Sequence, residues 1–301
     1  MGKKDIADRP YFSDRRRFAE LINATLYHGE NVLLPESLTL LRRKYPSLTS
    51  SSGELERDIL IMDKGQNICY GIEIETESDY SMPERVITYD ACDYEYQMKE
   101  IDRGHRERKD YQCYQERKSR MKVDDILLPT ITTVLYLGEG HWKGRRKLSQ
   151  MFRLPQETRS LLGANLSEYS FPLIEADYVN LEYFGTDLRE FFQAMQYRRD
   201  KTRLKILFQT DAFMHLCPET EHVIARHLHI QRLLHKMETE DLPMCKAFDD
   251  LMKDQLEEGK KVGRKEEKIQ IIKQMLKEGL DEALIHRTTK CTHEEFAVAS
   301  R

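Results

Sequence analysis

The chain has 301 residues, 33% of them charged, and its 48 basic and 52 acidic residues leave a net charge of −4. A balance this close to neutral excludes a uniformly basic protein that coats DNA, so any nucleic-acid contact must come from local basic patches. The length is sufficient for a full hydrophobic core and an additional tail.

The six cysteines are scattered, without a CxxC pair or the spacing of a disulfide framework. This usage is typical of a reducing cytosol. No opening apolar run resembles a signal peptide, and no stretch of about eighteen apolar residues occurs that would span a bilayer. We therefore expect a cytoplasmic protein without a membrane partner.

The first predicted helix begins near Ser13 or Asp14, since either side chain can cap a helix N-terminus. Residues 1–13 are polar, and we expect them to be loosely held apart from Tyr11 and Phe12. Apolar residues then recur at helical spacing until Gly29 ends the helix. Glu20 lies on a different face, and helix-surface statistics alone make it an exposed acid.

A β-hairpin follows, with predicted strands at 58–62 and 68–75 around a turn rich in Gly, Asn and Asp. Because strand side chains alternate between faces, Glu73 and Glu75 point the same way, and Asp58 joins them from the neighbouring strand. Three carboxylates on one face repel each other unless a cation lies between them, and Mg²⁺ prefers this oxygen set. The alternative is a solvated face of an edge hairpin, although such faces usually mix both signs of charge.

Several short blocks resemble a known protein family. They are Phe18–Asn23, Pro35–Leu38, Arg57-Asp58, Gly71–Glu73, Asp79–Arg85, Tyr89-Asp90, Leu135–Gly138 and Trp142–Gly144. Together with the acidic spacing of the hairpin, they resemble the PD-(D/E)xK nuclease core, and more narrowly the Rpn family of recombination-promoting nucleases, often labelled transposases. The resemblance covers most of the chain, and 79–90 is its most specific part. The family has Gln, or Lys in distant relatives, where this chain has Glu75.

The resemblance implies an α/β, restriction-endonuclease-like fold with a mixed central sheet flanked by helices and a helical C-terminal appendage. It also implies a metal-dependent DNA endonuclease. Its catalytic residues would be Asp58, Glu73 and Glu75. Mg²⁺, or Mn²⁺, would be held by Asp58 and Glu73, helped by Glu20 and the backbone carbonyl of Ile74.

The same resemblance suggests residues that contact the substrate. Arg57 and Arg85 are candidates for phosphate contact. Gln97 lies on a long helix predicted to start at a capping box, 81–84. It resembles the helix glutamine that touches substrate or metal-bound water in related nucleases. The alternative for Gln97 is a surface position on a tyrosine-rich packing helix.

Residues 105–122 are dense in Arg and Lys with interleaved tyrosines, which suits phosphate contact and base stacking. A solvated, salt-bridged helix is the commoner explanation of such a segment. Residues 126–137 predict a buried central strand, and 176–183 another strand. Helices at 187–197 and 201–210 are expected to cover the sheet.

The histidines between 215 and 235 match no zinc-finger or H-E-x-x-H spacing, which favours an ordinary amphipathic helix. We place a domain boundary between 1–242 and 243–301. The tail predicts a long charged helix at 246–278 and then a short helical pair. Such a tail can read DNA, or its apolar stripe can form a homo-oligomer or pack on the protein.

Two functions of different classes fit these patterns. The first is the DNA endonuclease, with DNA as partner. The second is a catalytically degenerate relative that binds DNA or a protein through the basic segment and the tail. The retention of Asp58 and Glu73 favours activity. RNA stays open as a substrate beside DNA, because nothing in the sequence reads a 2′-hydroxyl.

Overall fold

The fold is described from a computed structural model, which describes residues 5–42, 44–46, 54–228 and 230–300. It is a mixed α/β fold, and the chain divides into two compact units, Met1–His229 and Ile230–Arg301. The division falls earlier than the boundary predicted after residue 242. The reason is that the helix Gln231–Glu240 packs against the long tail helix.

The strands are β1 (Leu38–Leu40), β2 (Lys44–Pro46), β3 (Glu54–Glu56), β4 (Ile59–Asp63), β5 (Ile68–Glu75), β6 (Thr130–Tyr136) and β7 (Leu173–Glu175). Five of them form one sheet in the order β1-β4-β5-β6-β7, while β2 pairs with β3. β1, β4 and β5 are antiparallel, whereas β5, β6 and β7 are parallel. The predicted mixed sheet is thereby confirmed.

The helices of the first unit are α1 (Asp5–Ser13), α2 (Arg15–Leu26), α3 (Met82–Arg108), α4 (Tyr114–Ser119), α5 (Gln156–Leu162), α6 (Leu188–Tyr197), α7 (Lys201–Leu207), α8 (Asp211–Met214) and α9 (Pro218–His227). Asp14 caps α2 as predicted, since its side chain accepts hydrogen bonds from two backbone N–H groups. The predicted helices at 187–197 and 201–210 are confirmed by α6 and α7.

The central strand β5 places the acidic residues. The predicted hairpin is confirmed, with β4 and β5 joined by a turn at 64–67. β5 lies between β4 and β6, and its interior residues are buried because both edges and both faces are covered. The carboxyl end of β5 extends past the start of β4, where the sheet has room for a site.

The N-terminal segment differs from the prediction. Residues 5–13 form α1, and its rings Tyr11 and Phe12 are fully buried against Phe191 of α6. Asp8 is also buried and pairs with His227 at 2.9 Å. For residues 5–13 the expectation of a loosely held segment was therefore wrong, because the apolar residues of α1 complete the core beside α6 and α9. Residues 1–4, which the same expectation covered, lie outside the described residues.

Two further predictions need correction. The strand expected at 176–183 is a pair of 3₁₀ turns, Ala176–Tyr178 and Leu181–Tyr183, and the strand itself is the preceding β7. The capping box at Ser81 does not form, because the Ser81 hydroxyl donates to Asp79 instead. α3 nevertheless begins at Met82 and continues to Arg108, beyond the predicted end near Gly104.

The second unit is helical: α10 (Gln231–Glu240), α11 (Met244–Lys277), α12 (Glu282–Thr289) and α13 (His293–Ala299). The long helix and the short pair are as predicted, and Thr292 forms a capping box with Glu295. Ile272, Ile285 and Ala299 make its small core. Across the part of the chain that the structure describes, none of the helices has the length and apolar character needed to cross a membrane.

Candidate active site

The register of β4 against β5 places two of the predicted acidic residues opposite each other. The last pair of the β4–β5 ladder joins Ile59 to Ile72, so one further step places Asp58 opposite Glu73. Residues directly opposite each other in an antiparallel pair have Cβ atoms about 5 Å apart. The Asp58 carboxylate also accepts a hydrogen bond of 2.8 Å from the Ile74 N–H. The site therefore lies beside the start of β4, where β5 continues past it.

Asp58 is paired with a cation from the N-terminal helix. The guanidinium of Arg9 contacts one Asp58 oxygen at 2.6 and 2.8 Å, and the other oxygen takes the Ile74 N–H. The Asp58 side chain is 14% exposed, so the pair lies close to the surface. Because the N–H and C=O of a strand residue point to the same side, the Ile74 carbonyl also faces the space beside Asp58.

Glu73 is the buried member of the group. Its side chain is 1% exposed, and one oxygen lies 3.2 Å from the Arg85 guanidinium. The other oxygen, Oε1, is buried and makes no hydrogen bond with the described residues. Burial, and then the charge of Asp58, raise the pKa of Glu73 to about 8. A carboxyl group in this position holds a proton near neutral pH unless a cation in addition to Arg85 reaches it.

Glu75 lies at the mouth of the site and shares a counter-ion with Glu73. The Arg85 guanidinium contacts Glu75 at 2.7 Å and Asp79 at 2.8 Å. Burial raises the pKa of Glu75, against the opposing effect of Arg85. Although burial opposes its charge, the bond to Asp79 and the charges of Glu73 and Glu75 raise the pKa of Arg85. Arg85 therefore stays charged, and its side chain is 33% exposed.

Arg57 lies on the interior side of the acidic residues, not on the side that is open to solvent. Its side chain is 3% exposed and pairs with Asp90 at 2.5 Å and Asp93 at 3.0 Å, and it also donates to Thr132. A Cβ on Gly71 would overlap the Arg57 guanidinium, so glycine is needed where Arg57 crosses β5. Arg57 faces the interior, and the predicted contact between Arg57 and a phosphate does not fit this arrangement.

Gln97 and Glu20 have structural partners elsewhere. Both ends of the Gln97 amide bond to the backbone of Leu128, donating at 3.1 Å and accepting at 2.7 Å. Gln97 therefore fixes the approach to β6, which does not fit the predicted substrate contact. Glu20 accepts hydrogen bonds from the backbone N–H groups of Gly185 and Thr186 and from the Thr186 hydroxyl. That carboxylate holds the loop before α6, so the expectation that it reaches the Asp58–Glu73 pair has no support.

Sequence reasoning missed two members of the site. Arg9 lies in the segment expected to be loose, and Asp79 was noted only as part of a family block. The signal for Arg9 was available, because Tyr11 and Phe12, which were excepted from that expectation, follow it after Pro10 and are buried. The signal for Asp79 was its spacing from Arg85 across the start of α3, since a loop acid can reach a cation one turn into the helix.

The donors that the site offers are hard oxygens. Within the described residues no three or more His, Cys, Asp and Glu side chains form a group that could hold a metal ion. Asp58 and Glu73 offer two carboxylates, and the Ile74 carbonyl lies on the same side of β5 as Asp58. Comparisons of the chain with protein-family models, with curated proteins and with solved structures find no match.

Proposed function

We propose that this protein is a metal-dependent endonuclease that hydrolyses phosphodiester bonds in DNA, on a restriction-endonuclease-like core. The observation that supports this best is the pairing of Asp58 with Glu73 at the open end of β5. Glu73 carries a buried oxygen without a hydrogen bond to the described residues. A buried carboxylate oxygen of this kind is costly unless a proton or a cation satisfies it.

The donor set is compatible with Mg²⁺ or Mn²⁺. Magnesium is commonly held by one or two carboxylates, with waters and substrate phosphates completing its shell. Asp58 and Glu73 would be the carboxylates, and the Ile74 carbonyl a further oxygen. When bound, the ion would lower the pKa of a coordinated water and neutralise charge on the phosphoryl oxygens.

Two arginines, Arg85 and Arg9, give the site positive charge that can bind a phosphate. Arg85 and Arg9 each pair with site carboxylates in this structure. A guanidinium binds phosphate as well as carboxylate through paired N–H groups. A bound phosphodiester would pair with Arg85 and Arg9. Asp58 and Glu75 would then be released from their ion pairs with these arginines. Glu75 would then accept the proton of the attacking water, in place of the amide or ammonium group of the family.

Plasmid nicking tests this proposal. Purified protein is incubated with supercoiled plasmid and Mg²⁺ or Mn²⁺, beside Asp58→Asn and Glu73→Gln at matched concentration. Both variants replace a carboxyl group with an amide of nearly the same shape that cannot become a carboxylate, and we expect both to abolish metal-dependent nicking. Glu77→Gln is the matched control, because Glu77 is an exposed acid in the loop directly after β5. Equal nicking by wild type and both site variants would refute the assignment of the site.

A degenerate, non-catalytic relative is the second candidate, and one observation favours it. Arg85 already forms ion pairs with Glu73, Glu75 and Asp79, and Arg9 forms one with Asp58. The next variant applies if the wild type fails to nick plasmid both with Mg²⁺ and with Mn²⁺. Glu75→Gln restores the amide that the family has at this position and removes the ion pair with Arg85. Cleavage recovered by this variant would identify Glu75 as the lesion. A parallel assay with an RNA substrate shows whether the protein cleaves DNA or RNA.

A further inference from the structure

A basic loop follows β6, and the function proposed above does not use it. Residues 143–147 read Lys-Gly-Arg-Arg-Lys, and all four cationic side chains are exposed. No ion pair joins Lys143, Arg145 or Arg146 to an acid within the described ranges 5–42, 44–46, 54–228 and 230–300. Exposed cations that are not paired with carboxylates are suited to bind phosphate groups.

The basic loop lies at the same edge of the sheet as the acidic site. β5, β6 and β7 are parallel, and their ends Glu75, Tyr136 and Glu175 are in register. The loops after these strands therefore meet, and ligands of open α/β sheets bind at such carboxyl edges. Two contacts join the basic loop to the loop after β5. The Lys143 N–H donates to Ser78 at 2.9 Å, and the Arg145 guanidinium donates to the Tyr80 carbonyl at 3.3 Å.

A cavity of about 400 Å³ opens beside this loop, and its lining includes Arg146, Glu175, Tyr178 and Tyr183. Its volume falls within the roughly 300–1,000 Å³ that small ligands occupy. The tyrosines are large apolar groups left in contact with solvent, since Tyr178 is 53% and Tyr183 is 44% exposed. The cavity therefore combines a cation with two aromatic rings.

Both rings are held in place. Tyr178 stacks on His141 with ring centroids 3.9 Å apart and planes 8° apart, and about half of its surface is still exposed to solvent. Tyr183 lies against Gly29, where a Cβ would stand 2.7 Å from the ring and where φ is +90°. Glycine at this position permits both the left-handed backbone and the close approach. Rings fixed in advance lose little entropy when a base stacks on them.

We propose that the basic loop and this cavity bind single-stranded nucleic acid, with phosphates on the loop cations and a base stacked on Tyr178. Single strands are bound by this combination of a cationic track and exposed aromatic side chains, whereas a duplex keeps its bases stacked inside. The proposal deepens the proposed function, and rests on it only for the link between this surface and cleavage. A strand held here would pass the end of β5.

The test is binding without cleavage, by fluorescence anisotropy of a labelled oligothymidylate in EDTA, beside a duplex of equal length. We expect Tyr178→Leu to weaken single-strand binding about tenfold and to leave duplex binding unchanged, because one stacked base is lost. Tyr178→Phe keeps the ring and should bind like wild type. Arg146→Ala should reduce the salt dependence of binding by roughly one phosphate contact.

The matched control is a double variant, Arg117→Ala with Lys118→Ala, which removes exposed cations from α4 in the other basic segment. Unchanged single-strand binding by this control supports the proposal. If the control reduced the salt dependence of single-strand binding as much as Arg146→Ala does, the proposal would be overturned. It would also be overturned if the wild type bound no single strand, or if Tyr178→Leu bound single strands as tightly as the wild type. Tight single-strand binding by a wild type that nicks no plasmid with Mg²⁺ or Mn²⁺ would overturn the nuclease but not this surface.

Discussion

The substitution Glu73→Gln tests the electrostatics of the site through folding stability. Burial raises the pKa of Glu73 from 4.5 to about 8, so the folded protein holds this proton more tightly than the unfolded chain does. A raised pKa contributes stability that is fully present below pH 4.5 and is lost as the pH rises through about 8. Glutamine has the shape of the protonated acid and does not titrate.

The magnitude follows from proton linkage. Each pH unit between the two pKa values changes the free energy of unfolding by about 1.4 kcal/mol. From pH 5 to pH 9 the wild type should therefore lose about 4 kcal/mol through Glu73, whereas Glu73→Gln should not lose it. The variant also buries an amide N–H without a fixed partner, which costs about 1–3 kcal/mol at every pH. We expect the variant to be less stable than wild type at pH 5 and more stable at pH 9.

The assay is urea unfolding followed by tryptophan fluorescence. Trp142 is the only tryptophan, and it packs in a core cluster with Val134 and Phe171, so it reports the unit that contains Glu73. Glu77→Gln serves as the exposed control and should follow the wild type at each pH. Wild-type and Glu73→Gln stabilities that change in parallel from pH 5 to pH 9 would refute the reasoning.

Two further substitutions test how the site is supported. Gly71→Ala should destabilise the first unit by about 3–5 kcal/mol in the same assay, because its Cβ displaces Arg57 and separates a buried ion pair from Asp90; an unchanged urea midpoint would contradict this. Gln97→Ala should lower stability by about 1–3 kcal/mol by releasing Leu128. In nicking assays Gln97→Ala should leave KM unchanged, and a raised KM would restore the predicted substrate contact.

Structural features that depend on residues close together in the chain could be predicted from the sequence. The hairpin, the cap at Asp14, the long helices α3 and α11 and the helical pair at the end all follow from periodicity and turn residues. The alternation of side chains along β5 also predicts that Glu73 and Glu75 share a face, and Arg85 bridges both of them. Such features depend on neighbours within a few residues.

The partners of the charged residues were decided only by the tertiary structure. Arg57 and Arg85 look alike in the sequence, yet Arg57 is buried against Asp90 while Arg85 lies at the mouth of the site. Gln97 and Glu20 bond to backbone far along the chain, and Arg9 reaches Asp58 from a segment that looked unstructured. Composition and periodicity carry no information about such pairs, because the energy of a charge depends on which groups folding brings within a few ångströms of it.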